Sequence, residues 1–459
     1  MEQALNKLTA NTAIEMIKNR KISVLELIDS SLKQIEKLDA GIKAWTFVND
    51  EGARYQARKL DESIAQGKAL GRLWGIPVGI KDIYNTFDMP TAMGSPIWEG
   101  FTPGNDARVV SKLRLQDGIM LGKTVTAEFA VHYNEITSNP HNHAYSPGTS
   151  SSGSAAAVAA SMVPVAMGTQ TAGSTMRPAS YCGIYGYKPS FGLVPRVGVL
   201  KTTDSLDTIG FFSRSVDDLE LIFHIVRVEG TDYPISYQLL HDEKRQSPKR
   251  DFWRIALVRG PKWDCAEEYA RQALLDYAKK IAGEKSIVVE EVNLDPEFDR
   301  AHEAHQVIYD RTLAYYFKNE YQQKSLVSDV IYEIISRGNQ TNLQDYLEAL
   351  AEQNSLIQKI DRMMEEYDAI ITLSTSGEAP KGLASPDKPD SCLVWTMCHL
   401  PAINLPVFTG PNRLPFGAQI VARRYNDVLL LKLVKWFREI GLVQDVSYDF
   451  EPGDNRSGE

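Results

Sequence analysis

The sequence predicts an α/β protein, with a central mixed β-sheet covered by helices on both faces of one large domain. Three observations carry this reading. Short apolar runs alternate with stretches of helical periodicity, the pattern of strands packed against helices. The chain has 459 residues, 43% hydrophobic and 24% charged, close to globular averages and enough for a large core. No fixed-period repeat breaks the chain into small units.

The elements follow in order. Thr12 with Glu15, and Ser23 with Glu26, each have the spacing of a capping box. After Ser23, the residues Val24, Leu25, Ile28, Leu32 and Ile35 recur at helical spacing. The apolar run 76–80 reads as a buried strand that ends at Lys81. Residues 106–124 read as helix, turn and strand. Residues 227–251 are polar and hold Gly230, Pro234 and Pro248, so they form a long surface connection. A strand is expected over 251–260, helices over 266–285 and 300–365, and a strand over 367–376. Residues 400–422 read as strand, turn, strand, and 427–441 as a closing helix.

Composition excludes several function classes. The net charge is −9, no run of lysine and arginine exceeds a few residues, and 242–250 is mixed in sign, so nucleic acid is not expected as the main partner. The stretch 155–167 is apolar but short and interrupted by Pro164, so it does not span a membrane. The N-terminus lacks the apolar core of a signal peptide. Cys182, Cys265, Cys392 and Cys398 form no Cys-x-x-Cys pair, which suggests free thiols and a cytoplasmic location. Cys182 reads as core. His302 and His305, and His141 and His143, lack the third ligand and carboxylate of a metal site and are expected to be surface or capping residues.

Two loops carry the chemistry. One is "YSPGTSSSGSAAAVAASM" (145–162), with four serines and two glycines within 148–154. The other is "GTQTAGSTMRPASYCGIYGYKPSFG" (168–192), again with a hydroxyl among small residues. A serine hydroxyl attacks a carbonyl only with a base to take its proton and backbone amides to hold the oxyanion. The stretch "TAGS" (171–174) is small enough for its amides to approach a carbonyl, which makes Ser174 the candidate nucleophile. Lys81, at the end of a buried strand, is a candidate base, because an apolar setting favours the neutral amine. A hydroxyl of the first loop (Ser150, Ser151 or Ser152) would relay the proton.

These blocks, with "GIPVGIKD" (75–82), "GKTVTAEFA" (122–130) and "SLDTIGFFSRSVDD" (205–218), resemble the amidase signature family, whose triad is Ser–cis-Ser–Lys. A weaker match covers 396–420. The resemblance implies Ser174 as nucleophile, Lys81 as base and Ser150 as the bridging serine at a cis peptide. Ser150 lies 24 residues before Ser174, the family's spacing. It further implies an oxyanion hole from the amides of Thr171, Ala172, Gly173 and Ser174, and no metal or cofactor. Departures from the family's pattern are Thr149 and Ser152 for glycines, Gln170 for a frequent aspartate, Phe211 for a proline and His399 for a glycine.

On this resemblance the chain divides into an N-terminal helical segment (1–66) and a motif-bearing core (67–225). A variable, largely helical substrate-pocket region (226–365), a C-terminal part of the sheet (366–445) and a disordered tail (446–459) follow. Arg177 is a candidate ligand for a substrate carboxylate or a structural brace. Tyr133, Trp395 and His399 are candidate substrate contacts, because they fall near motif blocks. The expected function is hydrolysis of a small carboxamide. The alternatives are the amidase component of a tRNA-dependent amidotransferase, whose loop usually reads close to "GSDTGGSIRQPA", and acyl transfer to an amine. A non-catalytic binding protein is disfavoured by the intact Lys81, Ser150 and Ser174. Family members often dimerise, which leaves room for a homodimer.

Overall fold

The computed structural model describes residues 4–131, 136–230 and 233–452. Among them, eleven strands form one sheet. They are β1 (Trp45–Val48), β2 (Pro77–Lys81), β3 (Ile119–Thr124), β4 (Val165–Gln170), β5 (Tyr185–Lys188) and β6 (Thr208–Ser213). The others are β7 (Trp253–Leu257), β8 (Ile287–Glu291), β9 (Ala369–Leu373), β10 (Ala402–Thr409) and β11 (Pro415–Val421). The order across the sheet is β1-β3-β2-β4-β6-β5-β10-β11-β9-β7-β8. The sheet is mixed: β3, β2 and β4 run parallel, as do β9, β7 and β8, and antiparallel pairs join the two groups. Helices flank both faces.

The strands of the centre are apolar because both faces are covered. Every residue of β2, β3, β4 and β6 is buried. The helix Ser152–Ala159 lies against β2, β4 and β6, and all of its residues are buried too. Its small side chains permit that approach. A Cβ on Gly153 would stand 2.3 Å from the Ala44 carbonyl oxygen and 2.4 Å from the Val125 nitrogen. The alanine-rich run is therefore a buried helix, and its glycine marks where backbone meets backbone.

The N-terminal helices start differently from one another. Ser23 and Glu26 form the expected capping box on Val24–Ile42. The first helix, Ala10–Lys18, begins ahead of the expected cap: Thr9 is the capping residue, and its side chain accepts from the Thr12 amide. Asp218, distant in sequence, accepts from the Ala10 and Asn11 amides at 2.8 and 2.9 Å. A carboxylate at the positive helix end does what the local box was expected to do.

The segment 226–365 is more than helices, since it supplies β7 and β8 at the sheet edge. Its 300–365 part holds three α-helices, Ala301–Tyr316, Asp329–Gln340 and Leu343–Met363, of which the second and third each pack on the first. The C-terminal segment departs from the expected disorder as far as Phe450. Val446 donates to the Arg214 carbonyl at 3.0 Å, Tyr448 donates to the Gly183 carbonyl at 2.7 Å, and Phe450 is buried against His141. Two aromatics supply enough apolar area to hold a short tail down. No described helix is long and apolar enough to cross a membrane.

Gly153→Ala is expected to destabilise the fold by about 1–3 kcal/mol, the cost of overpacking a tight site. The urea midpoint of unfolding measures it.

Candidate active site

Strands β2 and β4 are adjacent and parallel, so their carboxyl ends open on the same edge of the sheet. Lys81 is the last residue of β2, and its side chain is sealed from solvent. Its Nζ lies 2.8 Å from Ser150 Oγ, 3.0 Å from Ser151 Oγ and 2.9 Å from Thr169 Oγ1. The adjacent Asp82 does not pair with it; Asp82 pairs with the buried Lys123 at 3.0 Å. Burial pushes Lys81 well below the usual lysine value, opposed by the more distant charge of Asp207. A neutral amine has two N–H donors and one lone pair. Ser151 gives its own proton to the Thr169 carbonyl at 3.2 Å, so it accepts from Lys81. Of Ser150 and Thr169, one then accepts and the other donates into the lone pair.

The peptide between Thr149 and Ser150 is cis, the conformation that the resemblance implies for a bridging serine. On one side the Ser150 carbonyl accepts from the Ala127 amide at 3.2 Å. On the other, Thr149 Oγ1 donates to Asp387 at 2.6 Å.

The second loop follows β4. Gln170 closes the strand, and its Oε1 accepts from the Thr175 and Met176 amides at 2.9 and 3.0 Å. It satisfies the amides at the start of the buried helix Met176–Cys182. Its Nε2 donates to Thr396 Oγ1 at 3.0 Å, which a carboxylate could not do. Ser174 is partly open to solvent, whereas Gly173 and Thr175 beside it are buried. Among the described residues, the amides of Ala172, Gly173 and Ser174 donate to no protein acceptor. Thr171 Oγ1 donates to Asp207 at 2.8 Å. Asp207 also accepts from the Thr202 and Thr203 amides at 2.8 and 3.0 Å, which ties the loop to the start of β6.

The structure separates the other candidates from one another. Arg177 is buried, and Nε and Nη2 grip Asp390 at 2.5 and 3.3 Å, with Asp387 at 3.8 Å from Nη1. Burial alone would lower its pKa; Asp390 and Asp387 outweigh burial and raise it. A Cβ on Gly173 would stand 2.8 Å from the guanidinium carbon, so Arg177 lies directly under the loop as a brace. Trp395 is fully buried in a cluster with Met176, Val394 and Leu400, with no open face for a substrate. His399 stacks on Phe191 and donates from Nε2 to the Ser205 carbonyl at 2.7 Å. Burial lowers its pKa to about 4, so it is a neutral structural ring. Tyr133 lies outside the described residues. Cys182 is core as expected.

Sequence reasoning missed four contributors. Ser151 and Thr169 both contact Lys81, and the serine-rich loop hid which hydroxyls face it. Asp207 was visible as part of "SLDTIG" but not as the anchor of Thr171. His305, expected to be a surface or capping residue, is buried, and its Nε2 donates to the Thr171 carbonyl at 3.0 Å. Nothing local marks it, because the partner is 134 residues away. Among the described residues, no three His, Cys, Asp or Glu side chains come together as a metal site.

A mixed sheet with helices on both faces, whose parallel central strands end on a lysine–hydroxyl cluster, defines an α/β hydrolytic enzyme. The Amidase family profile matches residues 26–431. The A subunit of glutamyl-tRNA(Gln) amidotransferase from Shouchella clausii (strain KSM-K16) is 31% identical over 91% of this chain and 94% of its own length. Its counterpart from Halalkalibacterium halodurans is 30% identical over 92% and 94%. Among solved structures, an inhibitor-bound vestigial complex, described as revealing the origins of an s-triazine catabolic enzyme, superposes with a TM-score of 0.85. It is 25% identical and covers 96% of this chain and 100% of that one. A peptide amidase from Stenotrophomonas maltophilia superposes with a TM-score of 0.83 at 24% identity, over 96% and 99%. The chain belongs to the amidase signature family, and it is an enzyme that acts on amide C–N bonds.

Asp390→Ala leaves the Arg177 guanidinium buried with only the distant Asp387. It is expected to cost about 3–5 kcal/mol of stability, read by thermal or urea unfolding.

Proposed function

We propose that the chain hydrolyses a small carboxamide through an acyl-enzyme on Ser174, with Ser150 as proton relay and Lys81 as base. One observation carries the reading: a solvent-sealed lysine amine 2.8 Å from Ser150 Oγ, with no carboxylate paired to it among the described residues. Such an amine favours its neutral form and can accept a proton near neutral pH.

Ser174 Oγ attacks the amide carbonyl and passes its proton to Ser150, as Ser150 passes its own to Lys81. The tetrahedral oxyanion rests on the free amides of Ala172, Gly173 and Ser174, with that of Thr171 beside them. The C–N bond breaks, and Lys81 returns the proton through Ser150 to the leaving nitrogen. Water, deprotonated along the same path, attacks the acyl-Ser174 carbonyl; the bond from the acyl carbon to Ser174 Oγ breaks, the proton returns through Ser150 to Ser174 Oγ, and the acid is freed. Arg177, held by Asp390, acts in this reading as a brace under the loop.

A second reading is the catalytic component of an amidotransferase that passes ammonia to a partner. The near-full-length similarity to amidotransferase A subunits favours it. The departures of "GTQTAGSTMRPA" from the usual loop of those proteins disfavour it.

Ammonia release by the purified chain from a panel of aliphatic, aryl and carboxylate-bearing amides tests the first reading. Ser174→Ala is expected to reduce release by about 10⁴-fold or more. Release that persists in this variant would exclude Ser174 as nucleophile. Release that needs added partner proteins would establish the second reading. Because Lys81 must be neutral to take a proton, the rate should rise as pH climbs through its lowered pKa and level off above it. The midpoint should fall well below 10.5. Lys81→Arg, held protonated at every accessible pH, should abolish the limb and the activity together.

A further inference from the structure

We propose that His305 and Thr396 are positioning residues of the oxyanion hole, each fixing one of its amides by holding the carbonyl of the same peptide unit. The inference rests on the reading above, in which the 171–174 amides stabilise the oxyanion.

In a trans peptide the C=O and the N–H point in opposite directions. Whatever anchors the carbonyl therefore aims the amide. His305 Nε2 donates to the Thr171 carbonyl at 3.0 Å, which fixes the peptide whose N–H belongs to Ala172. Because a carbonyl only accepts, the Nε2 of His305 carries the proton. Thr396 Oγ1 donates to the Ala172 carbonyl at 2.7 Å, which fixes the peptide whose N–H belongs to Gly173. These two amides have no protein acceptor among the described residues. A donor on each carbonyl also polarises the peptide and makes its N–H the stronger donor.

Packing reinforces the two bonds. The Ala172 side chain sits in a cluster with Ala304 and Ile308, on the same helix as His305, and with Leu393 and Met397, which flank Thr396. His305 is held in turn against Tyr309, with ring centroids 5.5 Å apart.

Gln170 fits this scheme. Thr396 has a single proton, with the Ala172 carbonyl at 2.7 Å and the Cys392 carbonyl at 3.2 Å; the shorter contact goes to Ala172, and Gln170 Nε2, which donates to the Thr396 oxygen, does not compete for it. An aspartate at 170 would compete for it. The helical segment and the C-terminal part of the chain thus reach the catalytic loop without touching the reacting atoms.

The test uses the full chain and p-nitrophenyl acetate, an activated ester. Ser174 Oγ forms a bond to the acetyl carbon, the ester C–O bond breaks, and p-nitrophenolate leaves. His305→Phe and Thr396→Val each should slow acylation by about tenfold with KM unchanged, a loss of aim smaller than the loss of a donor. Phenylboronic acid, whose tetrahedral adduct with serine places an oxygen at the oxyanion site, should bind more weakly by the same factor. His305→Gln, whose Nε2 can occupy the same place, and Thr396→Ser should restore both. Acylation and boronate affinity equal to the parent in both His305→Phe and Thr396→Val would overturn the inference. So would losses that Gln and Ser do not restore, or that fall on KM. Ser174→Ala serves as the separate control. If it still acylates, the nucleophile assignment fails, whatever the His305 and Thr396 variants do.

Discussion

The amine of Lys81 sits at the carboxyl end of β2, where water cannot reach it and no carboxylate among the described residues pairs with it. A protonated lysine there would be costly, because burial in a low dielectric penalises the charged form. The surroundings suit the neutral form: of three hydroxyls within 3.0 Å, Ser151 accepts, and Ser150 or Thr169 can donate into the lone pair. Much of the local sequence follows from this constraint. The nearest acidic neighbour in sequence, Asp82, is occupied by a second buried lysine. The helix beyond the first serine loop is built of small residues, so that backbone carrying the hydroxyls can enter the core. Gly168, on the adjacent strand, has no room for a Cβ, which would stand 3.0 Å from Ser151 Oγ.

The second loop depends on a different principle. It has little regular structure, and its amides face away from protein acceptors. Its shape therefore has to come from groups behind it. Gln170 holds the start of the following helix, Asp207 holds Thr171, and Arg177 lies under Gly173 and is fixed by Asp390. These anchors come from β4, the approach to β6 and the C-terminal part of the chain. In the proposed mechanism, preorganisation of this kind lets donors stand ready for a developing charge without rearranging when it forms. It also explains how the chain departs from the family's usual loop residues without losing order. Glutamine in place of aspartate keeps the cap and adds a donor.

Arg177 shows how neighbours decide a residue's use. Its position three residues past Ser174 suits either a substrate ligand or a brace. Bidentate pairing with Asp390 through Nε and Nη2, with Asp387 facing Nη1 at 3.8 Å, makes it a brace. The same fork geometry that recognises carboxylates in ligands serves here to tie two parts of the chain together.

The sequence by itself determined the alternation of strands and helices, the placement of Lys81 at the end of a buried strand, and the two serine loops. These are local properties: an apolar run, a capping spacing or a cluster of small residues is written in adjacent positions. The resemblance to the family, through its 24-residue spacing, singled out Ser150 within a run of three serines as the expected bridging residue. Only the tertiary structure decided which hydroxyls besides Ser150 surround the amine, that Asp218 caps the first helix, that β8 extends the sheet, and that His305 reaches Thr171. It also decided that Trp395 and His399 serve packing and backbone support. Each of those outcomes depends on contacts between segments far apart in the chain. A side chain's hydrogen-bond capacity is fixed by its chemistry, but its partner is fixed by which distant backbone the fold brings within about 3 Å.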